Sequence, residues 1–174
     1  MAKAKSLYLR VQIILWSFVL SFAVAVFFLA YIVHELSHAL ACYLFNIPFA
    51  FYFDHVVPLV APTGISAIVI GLAGGLGEAL SSLLCFYAIT HLEKRGQNWF
   101  FASIGLELGF LTVAVIGFAN SIWEGFFHAN YESMLNDQTV VFWLFVPALL
   151  VSLAYIMKRY RRNYPLLLSQ KPKQ

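Results

Sequence analysis

An all-α membrane protein is the fold class that the sequence predicts: a bundle of about four transmembrane helices with a short strand-like insertion after the first. Three observations carry that expectation. Hydrophobic residues fill 61% of the 174 positions and charged residues only 11%, with a mean hydropathy of +0.80. So few charges cannot cover the apolar surface of a water-soluble domain of this length, whereas lipid needs no such cover. Four stretches are also apolar over the roughly 20 residues that a bilayer crossing requires. Finally, the basic residues cluster in the flanks of those stretches.

The four spans are expected near 11–44, 66–90, 100–119 and 139–157, within one integral-membrane domain covering 1–174. The first begins after the basic arm Lys3, Lys5 and Arg10 and outruns the core of a signal peptide, so it is read as a retained span. At about 1.5 Å per residue it is too long for an upright crossing, and must tilt, project beyond the interface or line a cavity. The segment from Pro48 to Val60 follows, rich in aromatic and β-branched residues, and suits a short strand or hairpin. The second span carries Gly71, Gly74, Gly75 and Gly77, small enough for close helix approach. Cys42 and Cys85 both fall in apolar stretches, where a packing role is expected.

Charge then predicts an orientation. All 11 Lys and Arg lie in the N-terminal arm, at Lys94 and Arg95, or from Lys158 onward. Neither the Phe45–Ile65 link nor the Asn120–Gln138 link holds one. The positive-inside rule therefore puts both termini in the cytoplasm and these two links outside. The net charge of +3 follows from the flanks and implies no nucleic-acid partner. The tail Lys158-Arg159-Tyr160-Arg161-Arg162 suits anchoring at anionic membrane lipid.

Near the end of the first span stands His34-Glu35-Leu36-Ser37-His38. Histidines four residues apart project from one helix face, about a turn apart, so both imidazoles can hold one Zn²⁺. Glu35 is placed to act as a general base toward water at that metal. Three ionisable groups inside an apolar helix are costly, which marks them as functional. Glu78 and Glu107 lie near the middle of the second and third spans, and a structural role or substrate gating is open for both. Asp54 and His55 in the first outer link suit a solvated turn or the lining of a substrate entrance.

The stretch Val33-His34-Glu35-Leu36-Ser37-His38-Ala39-Leu40 resembles the signature of the site-2 protease-like family of intramembrane zinc metalloproteases. The segment Ala73-Gly74-Gly75-Leu76-Gly77-Glu78 is similar to that family's glycine-rich motif, with Gly75 in place of the usual proline. The resemblance spans roughly 31–137. It implies a multi-pass zinc metalloendopeptidase, with a transmembrane protein or peptide as substrate, Glu35 as catalytic base, and His34 and His38 as metal ligands. A third ligand is implied just before a later span. Asp137 in Leu135-Asn136-Asp137-Gln138 matches best, although Gln138 replaces a glycine; His128 and Glu124 are the alternatives. A non-proteolytic zinc hydrolase acting on a lipid or small amphiphile, and a catalytically silent relative that binds a membrane partner, are the competing functions. Glu35 tells against the silent relative, because a structural metal site needs no general base.

Overall fold

A computed structural model describes residues 2–52, 55–92, 99–127 and 137–169, with side chains described for 7–52, 55–92, 99–127 and 143–161. The chain is mostly helical. Helix α1 (Ala2–Val24) runs through a π-helical segment (Ala25–Val33) into α2 (His34–Leu44) without a break. A hairpin of β1 (Phe49–Phe51) and β2 (Val56–Pro58) follows, then α3 (Ile65–Leu92), α4 (Phe100–Ile122) with a second π-helical segment (Trp123–Phe127), and α5 (Asp137–Ser169). Among the described residues, Leu7–Leu44, Ile65–Leu92, Phe100–Phe127 and Trp143–Arg161 are long and apolar enough to cross a membrane.

The first of these rods has 38 apolar-rich residues, about 57 Å at helical rise, against a hydrocarbon core of about 30 Å. It does not end early or bend at a proline. Its internal change is the π-helical segment, where the His34 N–H reaches back to the Leu29 carbonyl. A wider turn adds a residue to the local repeat and rotates the side chains beyond it relative to α1. The interruption falls immediately before the His34–His38 motif.

Helix α4 is central, packing against α1, α3 and α5. Small residues set its crossings with α1 and α3. Gly105 and Gly109 face Ser17 and Ser21, and the Ser21 hydroxyl donates to the Gly105 carbonyl at 3.3 Å. Between α3 and α4, a Cβ at Gly75 would stand 2.5 Å from the Gly117 carbonyl, and one at Gly117 would stand 2.9 Å from the Gly75 carbonyl. Backbone lies directly on backbone there, a contact only small residues permit. Helix α5 adds Ile156 and Tyr160 to a cluster with Leu108, and the Arg159 guanidinium pairs with the buried Glu107 carboxylate. Glu107 thus has a structural partner on α5.

The strand-like insertion is a two-stranded antiparallel sheet, with Phe49 opposite Pro58 and Phe51 opposite Val56. Asn46 makes the turn into it. Its positive φ of 53° follows the last turn of α2, and the Ile47 N–H closes back on the Cys42 carbonyl at 2.9 Å. This is the left-handed cap geometry in which asparagine substitutes for glycine. Phe49 then packs on Ala41, Cys42 and Ile70, which seats the hairpin on α2 and α3. Cys42 is accordingly a packing residue.

One boundary differs from expectation. The third helical run passes Ala119 and continues to Phe127, so Asn120, Ser121 and Glu124 are helical and not part of a link. These polar residues read as a membrane exit, but they turn inward: the Ser121 hydroxyl donates to the Leu72 carbonyl on α3 at 2.8 Å.

Candidate metal centre

Three helical segments meet at the motif. His34 and His38 come from the start of α2, Glu124 from the π-helical end of the third run, and Gly74 from the middle of α3. The Nε2 atoms of the two imidazoles are 3.1 Å apart. His34 Nε2 stands 3.4 Å from Glu124 Oε1, and His38 Nε2 stands 3.4 Å from Glu124 Oε2. Each residue thereby offers one ligand atom to a common point, all within 4.8 Å of one another.

The far side of each imidazole is held as well. His38 Nδ1 lies 2.6 Å from the Ile70 carbonyl, which can only accept, so Nδ1 carries the hydrogen and Nε2 presents its lone pair. His34 Nδ1 lies 3.4 Å from the Glu78 carboxylate, which favours the same tautomer. Two imidazole lone pairs and a carboxylate therefore converge on one spot. That arrangement is repulsive by itself and becomes favourable around a cation.

A divalent ion fits the donor set. Tetrahedral zinc with ligand bonds of about 2.0–2.1 Å needs donor atoms about 3.4 Å apart, close to the 3.1 and 3.4 Å separations here. Glu124 Oε2 is buried with no hydrogen-bond donor among the described residues, while Oε1 accepts from Asn120 Nδ2 at 2.7 Å. Gly74 keeps the space open. A Cβ there would stand 2.6 Å from His34 Nε2 and still closer to His38 Nε2.

Glu35 is on the same turn but points toward the hairpin, where its Oε2 accepts the Val56 N–H at 2.8 Å. The expected base therefore also ties β2 to α2. Of the three candidates for a third ligand, Glu124 is the one the described residues bring to the histidines. Asp137 begins α5, but its side chain lies outside the described residues, as does all of His128. Asp54 lies outside them too. An open hollow of about 350 Å³, lined by Tyr43, Asn46, Ile47, Pro48 and Phe49, sits at the corner between α2 and β1 and contributes no donor to the histidine site.

Glu124 was open to discovery from the sequence by one signal. Asn120 and Glu124 are four apart, so a helix continued past Ala119 puts both on one face. Glu78 had no such signal, because its partner His34 is 44 residues away. Comparisons with known protein families, with characterised proteins and with solved structures give no match, and the site is read from its own chemistry.

Proposed function

We propose that this chain is an intramembrane zinc metalloprotease, similar in mechanism to the site-2 protease-like family, that hydrolyses a peptide bond of a membrane-embedded substrate. The observation that carries the reading is the convergence of His34 Nε2, His38 Nε2 and the Glu124 carboxylate on one point, with Glu35 next to His34 in the chain. These three side chains would hold the metal, with Asn120 and Ile70 fixing the Glu124 and His38 orientations. Zinc bound there would supply a Lewis acid that polarises a peptide carbonyl and makes water acidic near neutral pH.

The remaining work falls to the protein's own residues. The Glu35 carboxylate takes a proton from the attacking water and returns it to the leaving amine nitrogen, the role for which its place beside the first ligand suits it. Its hydrogen bond from the Val56 N–H ties the hairpin to the helix that carries the two histidines. A helical substrate must unwind to expose a scissile carbonyl, and the hairpin provides strand edges on which an extended segment can pair. In the orientation read from the basic flanks, both termini are cytoplasmic and the hairpin end of the bundle is outside.

The test is metal analysis and cleavage with purified protein in detergent or vesicles. Wild type is expected to bind one zinc and to cleave a model membrane peptide. Glu35→Gln keeps the zinc and loses about 10²–10⁴-fold in cleavage. A wild type that binds no zinc ends this reading.

A further inference from the structure

Glu78 is the second buried carboxylate at the site. It belongs to α3, is 3% exposed, and places Oε2 3.4 Å from His34 Nδ1, while Glu124 meets the other ring nitrogen, Nε2. The two histidines are thus supported differently. His38 leans on a neutral carbonyl of Ile70, while His34 leans on a carboxylate. Space for that carboxylate is provided by Gly117 on α4, where a Cβ would stand 3.2 Å from Glu78 Cδ.

The balance of charge makes this position informative. No Lys or Arg occurs between Arg10 and Lys94, nor between Arg95 and Lys158, so α2, α3 and the third helical run contain none. Glu78 and Glu124 therefore stand beside two imidazoles with no ammonium or guanidinium from their own helices. Buried carboxylates without counter-charge are strongly disfavoured in a low-dielectric interior. A divalent cation among neutral imidazoles cancels both charges at once; a monovalent cation leaves one uncompensated.

We propose that Glu78 is a positioning residue for the metal centre, fixing His34 with its Nε2 lone pair inward and supplying the second negative charge that matches the site to a divalent cation. This rests on the metal-binding part of the function proposed above. It gives α3 a role beyond packing: the helix that opens space for the ion at Gly74 also carries, one turn later, the carboxylate that orients a ligand. Outer partners of this kind typically account for 10–100-fold in metal affinity.

The experiment measures affinities for Zn²⁺ and Ag⁺ by chelator or ligand competition, using the full chain purified in detergent with Cys42 and Cys85 replaced by alanine, because free thiols would capture Ag⁺. The proteins are wild type, Glu78→Gln and Glu78→Asp, each melted without metal as a folding control. Glu78→Gln keeps the volume and an acceptor oxygen but not the charge. It is expected to weaken Zn²⁺ binding about 10–100-fold and Ag⁺ binding by less than about threefold, so the zinc-to-silver preference falls. Glu78→Asp keeps the charge but draws it back from His34 Nδ1, so it is expected to weaken Zn²⁺ binding while retaining the wild-type preference; if Glu78→Gln does not fold, unchanged zinc affinity in Glu78→Asp overturns the assignment. Unchanged zinc affinity or equal losses for both ions in Glu78→Gln, or a preference that falls in Glu78→Asp as well, would overturn the assignment. A wild type that binds no zinc is a different failure, of the metal centre itself.

Discussion

Replacing Gly74 by alanine adds one methyl group at the point where the two imidazoles converge. That carbon would stand 2.6 Å from His34 Nε2 and nearer still to His38 Nε2, where non-bonded heavy atoms prefer about 3.5 Å. Both rings must retreat, that of His34 by about 0.9 Å and that of His38 by more, several times the roughly 0.2 Å tolerance of a metal–ligand bond. The ends of two side chains can make that movement, so the helix itself is not the casualty. Helix propensity favours alanine by about 0.8–1 kcal/mol, and the crowding costs about 1–3 kcal/mol. The metal-free protein should lose no more than about 2 kcal/mol by this difference. Metal binding should fall at least about 100-fold, or about 2.7 kcal/mol. Metal content after gel filtration, zinc affinity by chelator competition and metal-free melting separate the two effects. Gly74→Ala protein that holds one zinc with wild-type affinity would refute the geometry of the site.

The ligand assignment divides two carboxylates cleanly. Glu124→Gln is expected to lose zinc affinity by about 100-fold or more, and Asp137→Asn to stay within about threefold of wild type; the reverse result returns the third-ligand role to Asp137. Orientation is read by labelling Asp54→Cys with a membrane-impermeant maleimide after replacing Cys42 and Cys85 with alanine. Reaction from the outer face is expected, and reaction only from the cytoplasmic face would invert the topology.

Much of the helical architecture was legible because its signals are local. Each span announces itself through its own apolar content, and the break at Pro48 with the aromatic run after it announced the hairpin. The His34–His38 pair was legible for the same reason, since four residues along one helix bring two side chains together whatever surrounds them. Asn120 misled because polarity near the end of a span looks the same whether it meets water or a neighbouring helix. The Ser121 bond to Leu72 and the Asn120 bond to Glu124 show it turned inward.

The first π-helical segment had no legible signal. The run Ala25-Val26-Phe27-Phe28-Leu29 contains no proline, glycine or polar residue to mark a change of helical repeat. The π-helical segments flank or contain the proposed ligand residues, and the side-chain faces beyond them depend on the altered repeat.

At the His34–His38 motif the division is plain. The sequence by itself determined that two imidazoles share a helix face within an apolar span, because helical spacing is a property of neighbouring residues. Only the tertiary structure decided what meets them. Gly74 leaves the space, Glu124 brings a carboxylate to the Nε2 atoms, and Ile70 and Glu78 hold the opposite nitrogens. Those partners lie 32 to 90 residues along the chain from the histidines they contact. Their meeting follows from the close packing of α3 on α2, where Gly77 faces Ser37, and on α4, where Gly75 faces Gly117, contacts that helical periodicity alone does not specify.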